Sequence, residues 1–236
     1  MAEKMIDAII IAGGGGTKMR PFTHIAPKAL LPLGRKPLLC HHLEKLQIKG
    51  AREIVVVSND YEDVFKRLQG RYYFKFVKDE GKGAVSAFYT AVKELRESDG
   101  WLVIQGNVFT TLDYRELIKE WGGKSVLVAL AEIEKKDAKR FGVAKVKEGQ
   151  IIEIHEKKPA ASNLALAGIY LFPPSVLPSL ALWVNTIVRF HRFGEFLQFL
   201  LQTHELRPFI IKGFWGYADN EKGYGKLWRW WLENES

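Results

Sequence analysis

Four short runs rich in Ile and Val, at Ala8–Ile11, Ile54–Val57, Leu102–Gln105 and Val126–Ala131, are each bounded by turn or polar residues. Between them, Pro37–Lys49, Asp60–Leu68, Val85–Leu95 and Asp113–Trp121 carry apolar residues three and four positions apart, as in Leu39, Leu43 and Leu46. A short unbroken apolar run is a strand covered on both faces, and a three-to-four spacing is a helix with one apolar side. Their alternation predicts an α/β fold with a doubly wound, mostly parallel sheet, whose ligands sit beyond the carboxyl ends of the strands. After about Phe141 the period changes. Closely spaced strands at Gly142–Lys147, Gln150–His155 and Leu164–Phe172, the first two joined at Glu148-Gly149, predict an antiparallel-leaning insertion in the second half. Pro173, Pro174 and Pro178 read as breaks, Thr186–Thr203 as a helix, Arg207–Ile211 as a strand and Tyr224–Leu232 as a short aromatic helix. With 236 residues, no internal repeat and no long linker, 1–236 is expected to form one domain.

The first apolar run ends in four consecutive glycines, Gly13 to Gly16, followed by Thr17. Glycine permits positive φ and leaves no Cβ to block a ligand, so such a loop can turn its N–H groups toward phosphate. The charge pattern agrees. The chain carries a formal charge of +8, and from Ala8 to Leu43 there is no carboxylate, while Lys18, Arg20, Lys28, Arg35 and Lys36 fall in that stretch. A P-loop is excluded, because Met19 stands where Ser or Thr must follow the lysine, and the dinucleotide fingerprint fails at its third glycine. A tight structural turn is the alternative reading of the glycines, and solvated surface lysines that of Lys18 and Lys28.

These residues resemble the sugar-phosphate nucleotidylyltransferase family, of the glucose-1-phosphate thymidylyl- and uridylyltransferase kind. Its members open with G-G-x-G-T-R-L-x-P-x-T and P-K-x-L-x-P-x-x-x-K-P. Here Gly13-Gly14-Gly15-Gly16-Thr17-Lys18-Met19-Arg20-Pro21-Phe22-Thr23 is followed by Pro27-Lys28-Ala29-Leu30-Leu31-Pro32 and Lys36-Pro37. Weaker similarity continues at Gly106-Asn107, Phe141-Gly142, Glu156-Lys157, Asn163, Gly194-Glu195 and Phe214-Trp215.

The resemblance implies a Rossmann-like nucleotidyltransferase fold that joins a nucleoside triphosphate to a sugar-1-phosphate, releasing pyrophosphate. It implies a nucleotide-binding half at 1–135 and a sugar-phosphate-binding half at 136–236. Ala12, Gly13, Gly14, Gly15, Gly16, Thr17, Gly81 and Gly106 would then line the nucleotide, Lys18 and Lys28 would neutralise phosphate, and Gly142, Glu156, Lys157 and Asn163 would face the sugar phosphate. Lys18 replaces the family's arginine, which keeps the charge and loses the bidentate fork.

The family holds Mg2+ with two aspartates. Here Asn107 stands in place of one, Tyr217 is aligned with the other, and Asp219 lies two residues further on. Asn107 and Asp219 are the candidate metal ligands that remain. A working enzyme and a weakened homologue that binds nucleotide and regulates a partner therefore both stay open.

No apolar run reaches the length of a membrane helix, and the N-terminal MAEKMIDAIII lacks a signal-peptide layout, so a cytoplasmic protein is expected. Cys40, the single cysteine, permits no intrachain disulfide. Nucleic-acid binding is the lesser alternative, because no strip of aromatics interleaves the basic residues. The tail Leu227-Trp228-Arg229-Trp230-Trp231-Leu232 packs on the body or forms a homo- or hetero-oligomer contact. A C-terminal β-helix, which relatives often carry, is not expected.

Overall fold

The computed structural model describes residues 4–47, 51–156, 162–187 and 192–235. Its first half runs β1 (Ile6–Ile11), β2 (Pro32–Leu33), β3 (Lys36–Pro37), α1 (Leu38–Gln47), β4 (Ile54–Ser58), α2 (Glu62–Gln69), β5 (Lys75–Lys78) and α3 (Ala84–Lys93). Next come β6 (Gly100–Gln105), β7 (Val108–Thr110), α4 (Tyr114–Glu120), β8 (Val126–Glu132), β9 (Gly142–Lys147), β10 (Gln150–Glu156) and β11 (Leu164–Phe172). The chain closes with α5 (Leu177–Thr186), α6 (Phe193–Leu200), β12 (Leu206–Ile210), β13 (Trp215–Tyr217) and α7 (Glu221–Asn234). Short 3-10 turns at Thr17–Met19, Lys28–Leu30 and Lys135–Arg140 carry several of the basic residues.

The central sheet is parallel from β5 through β4 and β1 to β6. There the hand changes: β11 runs antiparallel to β6, β8 and β9, and β9–β10 is an antiparallel hairpin. β12 then pairs in parallel with β8.

Both faces of the parallel strands are buried, with a period of two. Ala8 and Ile10 of β1, Val56 of β4 and Ile104 of β6 face one core, which α1, α2 and α4 cover through Leu43, Phe65 and Leu117. Ile9, Val55 and Val103 face the other core, covered by α3, α5 and α6 through Phe88, Leu180 and Phe196. Uniform Ile and Val runs thus mark strands with helices on both sides.

A third cluster lies at the end of the sheet. Met19, Leu33, Leu38, Phe109, Ala218 and Leu227 are buried together beneath the aromatic residues of α7. Trp230 stacks on Phe214 at 4.5 Å, and Trp231 meets the His41 ring edge-on at 5.0 Å. The tail is therefore packed on the body, tied to the residue that follows Lys18 and to the one that precedes Asp219.

Three expectations change. The segment 186–203 is not one helix: α5 ends at Thr186 and α6 begins at Phe193. Pro178 breaks nothing, because it sits in the first turn of α5, where its missing N–H is no loss. The last helix is longer than Tyr224–Leu232, since the Asn220 side chain caps it by accepting from Gly223 N at 2.9 Å.

Candidate functional site

A cleft of about 490 Å³ opens at the carboxyl ends of β1, β4 and β6. Gly13, Gly14 and Gly15 line it together with Asn59, Gly81 and Gly83. The loop geometry explains each glycine differently. A Cβ at Gly13 would stand 2.7 Å from Asn59 Oδ1 and 3.2 Å from Asn59 N, so the loop lies against the end of β4 only without a side chain there. Gly14 adopts φ +119° and its N–H donates to Asn59 Oδ1 at 3.2 Å. Gly16, at φ +57°, closes the loop where the Thr23 hydroxyl donates to its carbonyl at 2.7 Å. At Gly14 and Gly15 an added Cβ would meet nothing within 4 Å, so this part faces open space. Ala12 is buried beneath the loop, and Thr17 is exposed beyond it.

Gly106 serves the lysine side. Its N–H donates to Ile11 O at 2.9 Å, and a Cβ would come within 3.0 Å of Ala29 Cβ, so the turn Lys28–Leu30 rests directly on the strand ends. Ala29 and Leu30 are buried, which pins Lys28 at the cleft. Its ammonium donates to Asp219 Oδ1 at 3.0 Å, and Lys18 Nζ lies 3.6 Å from Asp219 Oδ2. Lys28 is mostly enclosed, at 19% side-chain exposure, whereas Lys18 is open at 64%.

Asp219 reaches this place through the short antiparallel pair β7–β13, which sets Tyr217 opposite Val108. Ala218 N donates to Asn107 O at 2.9 Å, and Asn107 Nδ2 donates to Ala218 O at 3.4 Å. Asn107 and Tyr217 both line the cleft beside Asp219. Burial, reinforced by the negative charge of Asp219, pushes the Tyr217 hydroxyl up to about 12, so Tyr217 is a neutral phenol at physiological pH.

These groups do not suit a magnesium ion held by the chain. Magnesium selects carboxylate and phosphate oxygen. Asn107 brings no charge, and the Asp219 carboxylate already holds two ammonium groups, which would repel a divalent cation drawn to it. Among the described residues, no group of three or more His, Cys, Asp or Glu side chains could hold a metal ion.

The far end of the cleft is built around Glu156, opposite Gly142 in the β9–β10 register. A Cβ at Gly142 would fall 2.8 Å from Glu156 Oε2, and one at Gly194 2.0 Å from it, so the carboxylate lies in space that both glycines leave open. Phe141, Trp215 and Tyr217 form an aromatic wall: Phe141 meets Trp215 edge-on at 5.5 Å, and Trp215 lies near-parallel to Tyr217 at 6.4 Å. Trp215 is fixed by its Nε1, which donates to Ala167 O at 2.9 Å. Arg192 supplies a cation at the same end. Apolar faces with a few placed polar groups are the usual lining of a small-molecule site.

The structure thus gathers Gly13, Gly14, Gly15, Gly81, Lys28, Asn107, Gly142, Glu156 and Asp219 around one cleft, with Lys18 joined to it through Asp219. Asn163 stands apart, its carbonyl accepting from Ile133 N at 2.9 Å. Lys157 lies outside the described residues. Sequence reasoning missed Asn59, Arg140, Tyr170 and Arg192, all of which line the cleft. Asn59 was within reach, since it directly follows a strand whose carboxyl end should face the ligand.

The model of the family described as Nucleotidyl transferase matches residues 7–219. A glucose-1-phosphate thymidylyltransferase of Streptomyces griseus is 26% identical over 90% of this chain and 62% of its own length. A mannose-1-phosphate guanyltransferase of Aspergillus oryzae is 28% identical over 88% of this chain and 59% of its own. The chain therefore spans about three fifths of the length of these curated relatives. A crystal structure of UDP-glucose pyrophosphorylase complexed with UDP-glucose shares the fold, with a TM-score of 0.81 at 19% identity over 98% of this chain and 100% of that one. Among the described residues, no helix is long and apolar enough to cross a membrane.

Proposed function

Because this chain belongs to the nucleotidyl transferase family, we propose that it joins a nucleoside triphosphate to a sugar-1-phosphate, giving a nucleotide sugar and pyrophosphate. The observation that carries this reading is the convergence of Lys28 and Lys18 on one point beside a glycine loop at the carboxyl ends of the parallel strands. In this reaction an oxygen of the sugar phosphate forms a bond to the α-phosphorus of the triphosphate. The bond from that phosphorus to the bridging oxygen breaks, and pyrophosphate leaves with the electron pair. Such a displacement needs alignment and neutralisation of charge on phosphate oxygens more than covalent help.

Each part of the cleft has a role in this reading. Gly13, Gly14 and Gly15 let the triphosphate approach the backbone, and Gly81, Gly83 and Asn59 line the side where the base lies. Enclosed Lys28 stabilises charge at the α-phosphate, while open Lys18 follows the outer phosphates. Glu156 accepts from sugar hydroxyls, the aromatic wall covers the ring face, and Arg192 meets the sugar's phosphate. Magnesium finds no carboxylate pair among the described residues and belongs with the phosphates of the substrate. The setting is the cytoplasm, where both substrates are available.

Pyrophosphate release, measured for each nucleoside triphosphate with glucose-1-phosphate and mannose-1-phosphate, tests the proposal. Release with at least one pair, dependent on both substrates, supports it. Triphosphate binding without release against any sugar phosphate assigns the chain instead to the regulatory reading, which the neutral Asn107–Tyr217 pair favours.

A further inference from the structure

A second cavity of about 300 Å³ adjoins the cleft and shares Arg140, Phe141, Tyr217 and Asp219 with it as a common wall. Lys18, Lys139 and Arg140 bring three cationic side chains to its lining, against the single carboxylate of Asp219. Arg140 is held in place. Its Nη1 lies 3.2 Å from Asp137 Oδ1, its Nη2 donates to Asn220 Oδ1 at 3.5 Å, and its guanidinium stands 5.5 Å from the centre of the Phe141 ring. A fixed guanidinium is suited to phosphate oxygen, because its planar fork loses little freedom on binding.

Asp219 holds Lys28 from the cleft side and Lys18 from the cavity side. A carboxylate clasped by two ammonium groups, in space lined by further cations, stands where a bound anion would stand. We propose that this second cavity receives the terminal phosphates of a polyphosphate, and that Asp219 is an internal anion which those phosphates displace from Lys18 and Lys28, rather than a ligand for a metal. The proposal rests on the reading of the cleft as a nucleoside triphosphate site.

The physical consequence is an exchange of partners. An unliganded cluster of lysines would repel itself, and Asp219 offsets one of its charges. A polyphosphate carries several charges and outcompetes one carboxylate for the same ammonium groups. When pyrophosphate leaves, Asp219 returns to the lysines, which weakens the hold on the departing group. The charge that a metal bound by the chain would contribute is supplied by Lys18, Lys28, Lys139 and Arg140.

The test uses inorganic pyrophosphate as the probe, titrated by calorimetry in the presence of EDTA. Asp219→Asn is expected to bind it about tenfold tighter than the unaltered chain, a difference of about 1.4 kcal/mol. Lys139→Ala is expected to bind it at least fivefold more weakly. Manganese alone, followed by the paramagnetic resonance of the free ion, is expected to keep its full signal when the unaltered chain is added. Equal or weaker pyrophosphate binding by Asp219→Asn overturns the proposal, and so does manganese uptake that the substitution abolishes. Should Asp219→Asn fail to fold, unchanged affinity in Lys139→Ala overturns it. An unaltered chain that binds neither pyrophosphate nor nucleoside triphosphate overturns this proposal and the triphosphate reading together. Triphosphate binding with any of the earlier adverse results overturns the displacement alone.

Discussion

A β-carbon at Gly194 would stand 2.0 Å from Glu156 Oε2, so the first residues of α6 and the last of β10 compete for one volume. The obstructing atom is the far end of a flexible side chain, which can swing away at small cost to folding. Gly194→Ala is therefore expected to leave the thermal midpoint within a few degrees of the parent and to raise KM for the sugar phosphate about tenfold, a loss of about 1.4 kcal/mol. Steady-state kinetics beside a thermal melt separates the two effects. A large fall in melting temperature with unchanged KM would place Glu156 outside the sugar site.

The two lysines on Asp219 differ in enclosure, and their substitutions should differ accordingly. Lys28 is mostly enclosed and held by a turn packed on Gly106, so its charge acts where water screens it little. Lys28→Met is expected to lower kcat by about a hundredfold or more, in the range of other lost electrostatic contacts to a reacting group. Lys18 is open to solvent, so Lys18→Met is expected to raise KM for the triphosphate with a fall in kcat of about tenfold or less. Equal effects on kcat from both changes would contradict this division.

Leu227 of α7 is fully buried, and its Cδ2 occupies the space 2.2 Å from where a Cβ at Gly216 would lie. It belongs to the cluster containing Met19 and Ala218, the neighbours of Lys18 and Asp219. Leu227→Ala is expected to cost about 3 kcal/mol of stability, the usual loss for a buried leucine. Because the same cluster sets Lys18 against Asp219, weaker triphosphate binding should accompany the loss well below the unfolding temperature. Chemical denaturation and a nucleotide titration on the same preparation check both parts.

The parallel half of the fold was legible because its strands are covered on both faces and so carry unbroken Ile and Val runs. β5 was not, because Lys75 and Lys78 sit at its ends and, among the described residues, it pairs only with β4. β7 and β13 escaped notice because three-residue strands leave no period to read. In the site, the glycines and the two lysines were visible as a local motif. Arg140 and Arg192 were not, since each enters the cleft from a distant segment and only the assembled fold brings them together. The resemblance put Asn107 and Tyr217 where the family carries its metal aspartates, which left Asp219 as the nearby carboxylate. That Asp219 instead closes on Lys18 and Lys28 depends on the β7–β13 register, which no spacing rule supplies.

His41 and His42 are both buried in α1, and their surroundings give acid sensitivity a definite sign. His42 Nδ1 lies 2.6 Å from the Tyr114 hydroxyl and its Nε2 2.8 Å from Val108 O, and burial pushes its imidazole down to about 3. His41 Nε2 lies 3.0 Å from Leu33 O, and burial pushes this ring down to about 4. Both folded values lie below the ordinary 6.5. Between those values and 6.5 the unfolded chain binds protons that the folded chain refuses, so stability rises with pH across that window. Their contribution is present above about pH 6.5 and is lost as pH falls toward 4. At about 1.4 kcal/mol per pH unit for each fully linked group, moving from pH 6.5 to 4.5 should cost about 2 kcal/mol per imidazole. The carboxylates of Asp113 and Asp137 are held below their ordinary range by Arg115 and Arg140, so they stay ionised there and add little. Urea unfolding at pH 6.5 and 4.5 should show the midpoint falling in the parent chain. His42→Gln, which removes one titrating ring, should show a shallower fall, and an equally steep one would assign the acid loss to other groups.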